Sequence, residues 1–174
     1  MPGRAARLVL AFLVLIPGFS EATVQDPAPI TRRDSYWLGV GLGAGSEDLA
    51  AHVNGSYQFG ANLISIRIAS TAGLFDTELT DYAVLYGRAT RGVRDRHLLA
   101  AGVGVALVDG CGMEGGGFLG GCQDHSSIIG LPLEAQASYR PGKLLGIGLY
   151  GFANFNRRRS FGGVTLGVQI GRLR

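Results

Sequence analysis

The sequence predicts an all-β protein, an eight-stranded antiparallel up-and-down transmembrane β-barrel. In the last stretch, residues 163–171, GVTLGVQIG, every second residue from Val164 is aliphatic and the others are glycine or small polar groups. This alternation has the period of two that is typical of a β-strand. Seven upstream segments repeat it without an intervening segment of helical period, so the strands must follow one another as an antiparallel meander.

Composition narrows the class of protein further. With 174 residues, 29 glycines and 47% apolar residues, the chain is one domain and neither disordered nor typically helical. The net charge is only +3, the arginines are scattered, and Lys143 is the single lysine. This distribution excludes the basic stripe that nucleic-acid binding requires, and no nucleic-acid partner is expected.

The N-terminal residues have the pattern of a secretory signal peptide. Arg4 and Arg7 precede a nine-residue apolar run at 8–16, and small residues at Ser20 and Ala22 suit a signal peptidase. We expect residues 1–22 to be a cleaved signal peptide, 23–34 a periplasmic tether and 35–174 the outer-membrane barrel domain. The apolar run is too short to span a bilayer, although a retained anchor is the alternative.

The predicted strands follow one another with short connections. They are residues 36–45, 48–59, 62–70, 79–91, 94–108, 127–140, 144–155 and 159–172. A meander must keep both faces in phase through each hairpin, because a slip of one residue turns a strand inside out.

Phase restricts the turns. Two-residue turns at Ser46-Glu47, Gly60-Ala61 and Gly92-Val93 keep the apolar faces together. At the Pro-Gly corner a two-residue turn would break the phase, and we expect a three-residue turn at 141–143 with a bulge at Gly142.

The two faces of the strands differ strongly. One face is aliphatic and aromatic; the other is dominated by glycine and carries mid-strand charges only at Arg67, Asp81 and Glu134. A water-soluble carrier barrel would turn the apolar face inward and would need lysine and glutamate on the other. The glycine-rich face suits the filling of a narrow barrel, so the apolar face is predicted to contact lipid.

The three interior charges are expected to form a salt-bridge network. Pairing the third and fourth strands about residue 74 places Arg67 opposite Asp81, with Glu134 at similar depth on the far wall. Buried ions need partners, and eight strands leave little free bore. A plugged lumen is therefore predicted, with a proton or solute path as the alternative.

Aromatic residues of the apolar face cluster at one end of the barrel. With the first strand rising from the periplasm, the predicted periplasmic girdle comprises Tyr36, Tyr57, Phe59, Tyr86 and Tyr139. Phe155 marks the other rim. This orientation places the longest connection, residues 109–126, outside the cell.

Cys111 and Cys122 are the only two cysteines. Export to an oxidising compartment predicts a disulfide that closes the outer loop. The pair lacks the spacing of a zinc site, so neither a metal nor another cofactor is expected.

The signal peptide, the alternating strands and the closing sequence TLGVQI at 165–170 resemble the small outer-membrane β-barrel family that includes OmpA-type and OmpX-type domains. The resemblance covers the mature chain and implies the barrel-assembly machinery as a partner. Members usually finish on an aromatic residue, whereas this chain ends Arg172-Leu173-Arg174.

One pair of residues suggests an enzyme. His125 and Ser127 resemble the His-x-Ser element of the barrel-shaped lipid A deacylases, in which serine attacks an acyl ester with histidine as base. Glu134 is inward by parity and could not join them on the outer wall. A polar rim where a loop enters a strand is the simpler interpretation.

The sequence thus predicts a non-enzymatic, monomeric outer-membrane barrel with a structural or surface-exposed role, in contact with membrane lipids and lipopolysaccharide. A lipid A acyl-ester hydrolase and a narrow solute channel are the alternatives. The basic tip at Arg157, Arg158 and Arg159 suits an anionic surface, or is a solvated turn.

Overall fold

The computed structural model describes residues 34–72, 78–92, 96–112, 123–124 and 127–173. These residues belong to one compact unit, Arg33–Arg174. The predicted signal peptide, and most of the tether before residue 34, lie outside the described residues. In the described part of the chain, no helix is long and apolar enough to cross a membrane.

The described residues form eight long strands and one strand of two residues. In chain order they are β1 (Ser35–Gly45), β2 (Asp48–Phe59), β3 (Asn62–Ala72), β4 (Glu78–Arg91), β5 (His97–Gly112), β6 (Gln123–Asp124), β7 (Ile128–Tyr139), β8 (Leu145–Phe155) and β9 (Phe161–Arg172). The predicted strands are confirmed, with ends that differ by a few residues. The largest difference is β5, which begins and ends later than predicted.

The long strands close into an antiparallel barrel. Each pairs with the next in sequence, and β9 pairs with β1. The register can be followed around the wall by going from each residue to its partner on the next strand. Starting at Ser35, this path passes through Gln58, Leu63, Gly87, Gly102, Glu134, Phe152 and Gly163 and returns to β1 at Gly45. One circuit therefore climbs from Ser35 to Gly45, and this stagger requires the strands to tilt against the barrel axis.

Two ends of the barrel can be distinguished. The terminal end holds the start of β1, β3, β5 and β8 and the last residues of β2, β4, β7 and β9. The loop end holds the opposite ends of these strands, and there β5 extends into a short hairpin with β6. Gln123 and Asp124 thus form a strand within the predicted long connection 109–126.

The predicted turns are confirmed at two of four hairpins. Gly45 pairs with Asp48, and Phe59 pairs with Asn62, as two-residue turns require. The turn at Gly92-Val93 is wrong, because Arg91 pairs with Leu98 and residues 92–96 connect the strands. The shift equals four residues, which leaves the inward and outward faces unchanged.

The Pro-Gly corner is longer than predicted. Residues 140–144 connect β7 to β8, and Tyr139 pairs with Ile147. The odd number of connecting residues preserves the phase, as argued from the sequence. The three-residue turn itself is wrong, because the last two residues of the corner pair with the end of β9: Lys143 and Leu144 accept backbone hydrogen bonds from Leu173 and Gly171.

The faces agree with the predicted parity. Leu38, Leu42 and Leu166 point outward and are about two-thirds exposed, at 67%, 66% and 68%. Thr165, Gln169 and the other polar partners of the alternation point inward and are buried. The outer wall is thus apolar, and the interior holds the buried polar side chains together with some buried apolar ones.

Candidate functional site

The centre of the barrel contains a fully buried ion pair. Arg67 Nη2 lies 2.5 Å from Asp81 Oδ2, and Arg67 Nε donates to Asp81 Oδ1 at 3.2 Å. A third guanidinium nitrogen, Nη1, donates to the carbonyl of Leu133 across the lumen at 2.9 Å, and Asn154 donates to Asp81 at 3.0 Å. The hydrogen bonds surrounding the pair offset part of the cost of burying two charges.

The predicted register of this pair is wrong by two residues. Arg67 pairs with Ala83, and Asp81 pairs with Ala69, so the two charged residues are not directly opposite. The connection after β3 is centred one residue later than assumed. Arginine is long enough to reach the carboxylate along the diagonal.

Glu134 lies on the opposite wall and is bonded to neutral donors. Its carboxylate accepts hydrogen bonds from Ser65 Oγ at 2.9 Å and from the hydroxyl of Tyr150. Gln136 Nε2 lies 3.4 Å from the same carboxylate. The structure therefore brings Arg67 and Asp81 into direct contact and places Glu134 in a neighbouring network.

A histidine that the sequence interpretation left without a role completes the centre. The ring of His52 stacks on Tyr150 with 4.0 Å between centroids, and its Nδ1 is hydrogen-bonded to Thr165 Oγ1 at 2.7 Å. His52 and Thr165 are inward by parity and lie on either side of β1, where His52 pairs with Gly41 and Thr165 pairs with Gly43. The available signal was glycine at both of these positions of β1, between the two polar residues.

The terminal end of the lumen has its own cluster. The guanidinium of Arg140 lies 4.4 Å from the ring centroid of Trp37 and donates to Gln169 and to the carbonyl of Leu173. Leu173 is fully buried there beside Leu63. Burial, with Arg91 nearby, lowers the pKa of Arg140 to about 10, so the group stays charged at neutral pH.

The loop end of the lumen is apolar instead. Phe152 and Phe161 are buried with small and aliphatic residues of the neighbouring strands, and Phe152 also contacts the guanidinium of Arg67, at 5.5 Å. The members of this cluster are Ala50, Ala69, Leu79, Val108, Tyr150, Phe152 and Phe161. The described interior thus changes along the barrel axis. It is cationic and aromatic at the terminal end, contains the ion pair at the centre, and is apolar at the loop end.

Comparison with known proteins gave structural matches only. No protein-family model matches the chain, and no curated protein matches its sequence. Among solved structures, the Neisserial surface protein A is similar with a TM-score of 0.58 and 12% identity, covering 79% of this chain and 94% of that one. The N-terminal barrel domain of Pseudomonas aeruginosa OprF has a TM-score of 0.59 and 11% identity, over 79% and 96%. The Yersinia pestis attachment protein Ail, bound to the heparin analogue sucrose octasulfate, has a TM-score of 0.54 and 15% identity, over 79% and 97%.

The chain has the fold of the small outer-membrane β-barrels. This finding confirms the recognised resemblance and the closed antiparallel architecture.

On this small barrel the predicted girdle residues lie toward the terminal end. Tyr36 pairs with Tyr57, whose ring stacks on Phe59 with 6.0 Å between centroids, and Tyr86 is 54% exposed. Tyr139 packs against His97 at 5.3 Å. Phe155 lies at the loop end, also facing outward.

Of the two residues suggested for hydrolysis, the structure describes only Ser127. Ser127 is exposed just before β7, whereas Glu134 is buried in the lumen. His125 lies outside the described residues. The described part of the small barrel contains no group of three His, Cys, Asp or Glu residues that could hold a metal.

Two further predictions concern the loop end. Cys122 and the side chain of Cys111 lie outside the described residues, so the disulfide stays a prediction. The basic tip is ordered by Asn156, whose Oδ1 accepts from the backbone N–H groups of Arg158 and Arg159 at 3.0 and 2.9 Å. Arg159 also forms an exposed ion pair with Glu47 at 2.7 Å.

Proposed function

We propose that this protein is a non-enzymatic, integral outer-membrane β-barrel with a structural or surface-exposed role. The observation that carries the proposal is that the apolar face of the strands points outward and the polar face inward, the reverse of a water-soluble barrel. Its outer wall is apolar, with Ile66, Val84 and Val105 more than 60% exposed, while Arg67 and Asp81 are buried inside. In water this arrangement would expose a large apolar surface, and in a bilayer the same surface contacts hydrocarbon.

The strand lengths support a membrane-spanning barrel. The shortest of the eight long strands have 11 residues, and β1 is one of them. At about 3.3 Å per residue and a tilt of about 45°, such a strand spans roughly 25 Å, which is the height of the apolar band of outer-membrane barrels.

The position of Arg88, a charged residue on the outer wall, agrees with an apolar band of this height. A charge at mid-membrane on the lipid face costs about 2 to 4 kcal/mol. Arg88 is exposed on the outer face, but it lies three residues before the end of β4 at the terminal end. From there its long side chain can extend to the lipid headgroups.

The packed interior supports a barrel that does not conduct. Trp37, Arg140 and Leu173 fill the terminal end, and Phe152 and Phe161 fill the loop end. We propose that the terminal end faces the periplasm and the loop end the exterior, where the basic tip and the predicted cystine loop would meet outside partners.

Three measurements test this proposal together. The protein should fractionate with outer membranes, change its gel mobility on heating after mild extraction, and give no steady conductance in a planar bilayer. Recovery in the soluble fraction would overturn the membrane assignment. A stable open pore would overturn only the closed interior and would favour the solute channel.

A further inference from the structure

The outer wall has a groove at its terminal half, between β5, β7 and β8. The groove has a volume of about 370 Å³ and is open along its outer side. Its outward lining includes Leu99, Ala137, Tyr139, Ile147 and Leu149. Ala137 forms the floor, because it lies between Leu99 and Leu149 in the register and is much smaller than either.

Two cationic residues flank the lining strands at the terminal end of this groove. Arg96 directly precedes the lining residue His97, and its carbonyl accepts the backbone N–H of Arg140 at 2.7 Å, where β5 begins and β7 ends. Lys143 lies in the connection from β7 to β8, and its carbonyl accepts the N–H of Leu173 at 2.8 Å. Both side chains are exposed, and no Asp or Glu is among the described residues that line the groove.

We propose that this groove binds one anionic phospholipid, with an acyl chain along Ala137 and the phosphate between Arg96 and Lys143. The apolar floor matches hydrocarbon, and the two cations complement the headgroup at the level where Tyr139 marks the rim. This inference rests on the proposed membrane placement.

A second copy of the chain is a poorer occupant. Copies inserted in one membrane with the same orientation, and related by a two-fold axis, would place the same surface against itself. Arg96 and Lys143 of one copy would then approach the same residues of the other, and like charges oppose that contact.

The test is native mass spectrometry of the purified protein in detergent, with phosphatidylglycerol or phosphatidylcholine added. We expect one phosphatidylglycerol to be retained in preference to phosphatidylcholine. Each cation near an anionic headgroup contributes about fivefold in affinity, so Arg96→Gln with Lys143→Gln should reduce retention of phosphatidylglycerol by about 25-fold. Ala137→Leu, which fills the floor, should reduce retention of both lipids.

Matched controls separate this site from general lipid contact. Arg157→Gln with Arg158→Gln removes two cations at the other end of the barrel, and Ala51→Leu enlarges an outward alanine on the opposite wall. Neither should change retention. Heat-modifiable migration of each variant shows whether it is folded, and it tests the barrel separately from the lipid site.

Three outcomes would overturn the proposal. Equal retention of both lipids, unaffected by the Arg96 and Lys143 changes, would show general lipid contact only. Loss of binding with the Arg157 and Arg158 changes instead would place the site at the loop end. A retained dimer without lipid would assign the groove to a second copy.

Discussion

Arg67 and Asp81 form their ion pair along a diagonal of the sheet, since the backbone of Arg67 pairs with Ala83 and that of Asp81 with Ala69. Both side chains are completely buried. Neither charge can be removed alone without leaving the other unpaired in the interior, and this dependence leads to the first prediction.

Asp81→Asn should lower the free energy of unfolding by about 3 kcal/mol, because it leaves the buried Arg67 charge without its ion-pair partner. The double variant Arg67→Met with Asp81→Leu should recover most of that loss, since an apolar pair needs no ionic partner. Urea unfolding in lipid vesicles, followed by gel mobility, measures both. Asp48→Asn is the control, because Asp48 is exposed at the start of β2 and has a positive φ that asparagine tolerates. An equal loss for that control would contradict the assignment.

Arg140→Gln should destabilise the terminal end by about 2 kcal/mol, since it removes the hydrogen bonds to Gln169 and Leu173 and the contact with Trp37. Trp37 is the single tryptophan, so its fluorescence reports on this cluster alone. We expect weak acrylamide quenching in the native protein and stronger quenching in the variant. Strong quenching in the native protein would mean that the cluster is open to water.

Gly60→Ala should lower the free energy of unfolding by about 1 kcal/mol, because Gly60 has a φ of +62° in the two-residue turn between β2 and β3. Space is not the reason, since nothing lies within 4 Å of the added methyl group. Gly142→Ala has equally open surroundings at an ordinary φ and should change the stability by less than about 0.5 kcal/mol. Similar effects at both positions would contradict the conformational explanation.

Ser127→Ala should leave the acylation of lipid A unchanged, because Glu134 is buried in the lumen and cannot orient a base beside Ser127. Mass spectrometry of lipid A from cells expressing each form provides the measurement. A difference in acyl-chain number would support the acyl-ester hydrolase and would remove the non-enzymatic assignment.

Parity explains which parts of the fold were predictable. Alternation assigns Thr165 and Gln169 to one face and Leu166 and Val168 to the other, and this assignment holds for any register shift of two or four residues. The pairing of β4 with β5 is four residues from the predicted one, and the pairing of Arg67 is two residues from the predicted one. Both errors left every face in its predicted place.

The interior contacts required the closed wall. His52 and Thr165 are 113 positions apart in the sequence. They meet only because β9 pairs with β1, which leaves a single strand between them in the barrel wall. The closed wall also brings Asn154 of β8 to Asp81 of β4 across the lumen. A pattern of neighbouring residues in the sequence cannot predict contacts between residues so far apart.

The sequence by itself determined the number of long strands, their antiparallel order and the side of each that faces outward, because these depend on a period of two that is visible along the chain. Only the tertiary structure decided the stagger, the turn lengths, and which buried polar groups meet. These depend on how far each strand slides against its neighbour, and sliding by an even number of residues leaves the alternation unchanged.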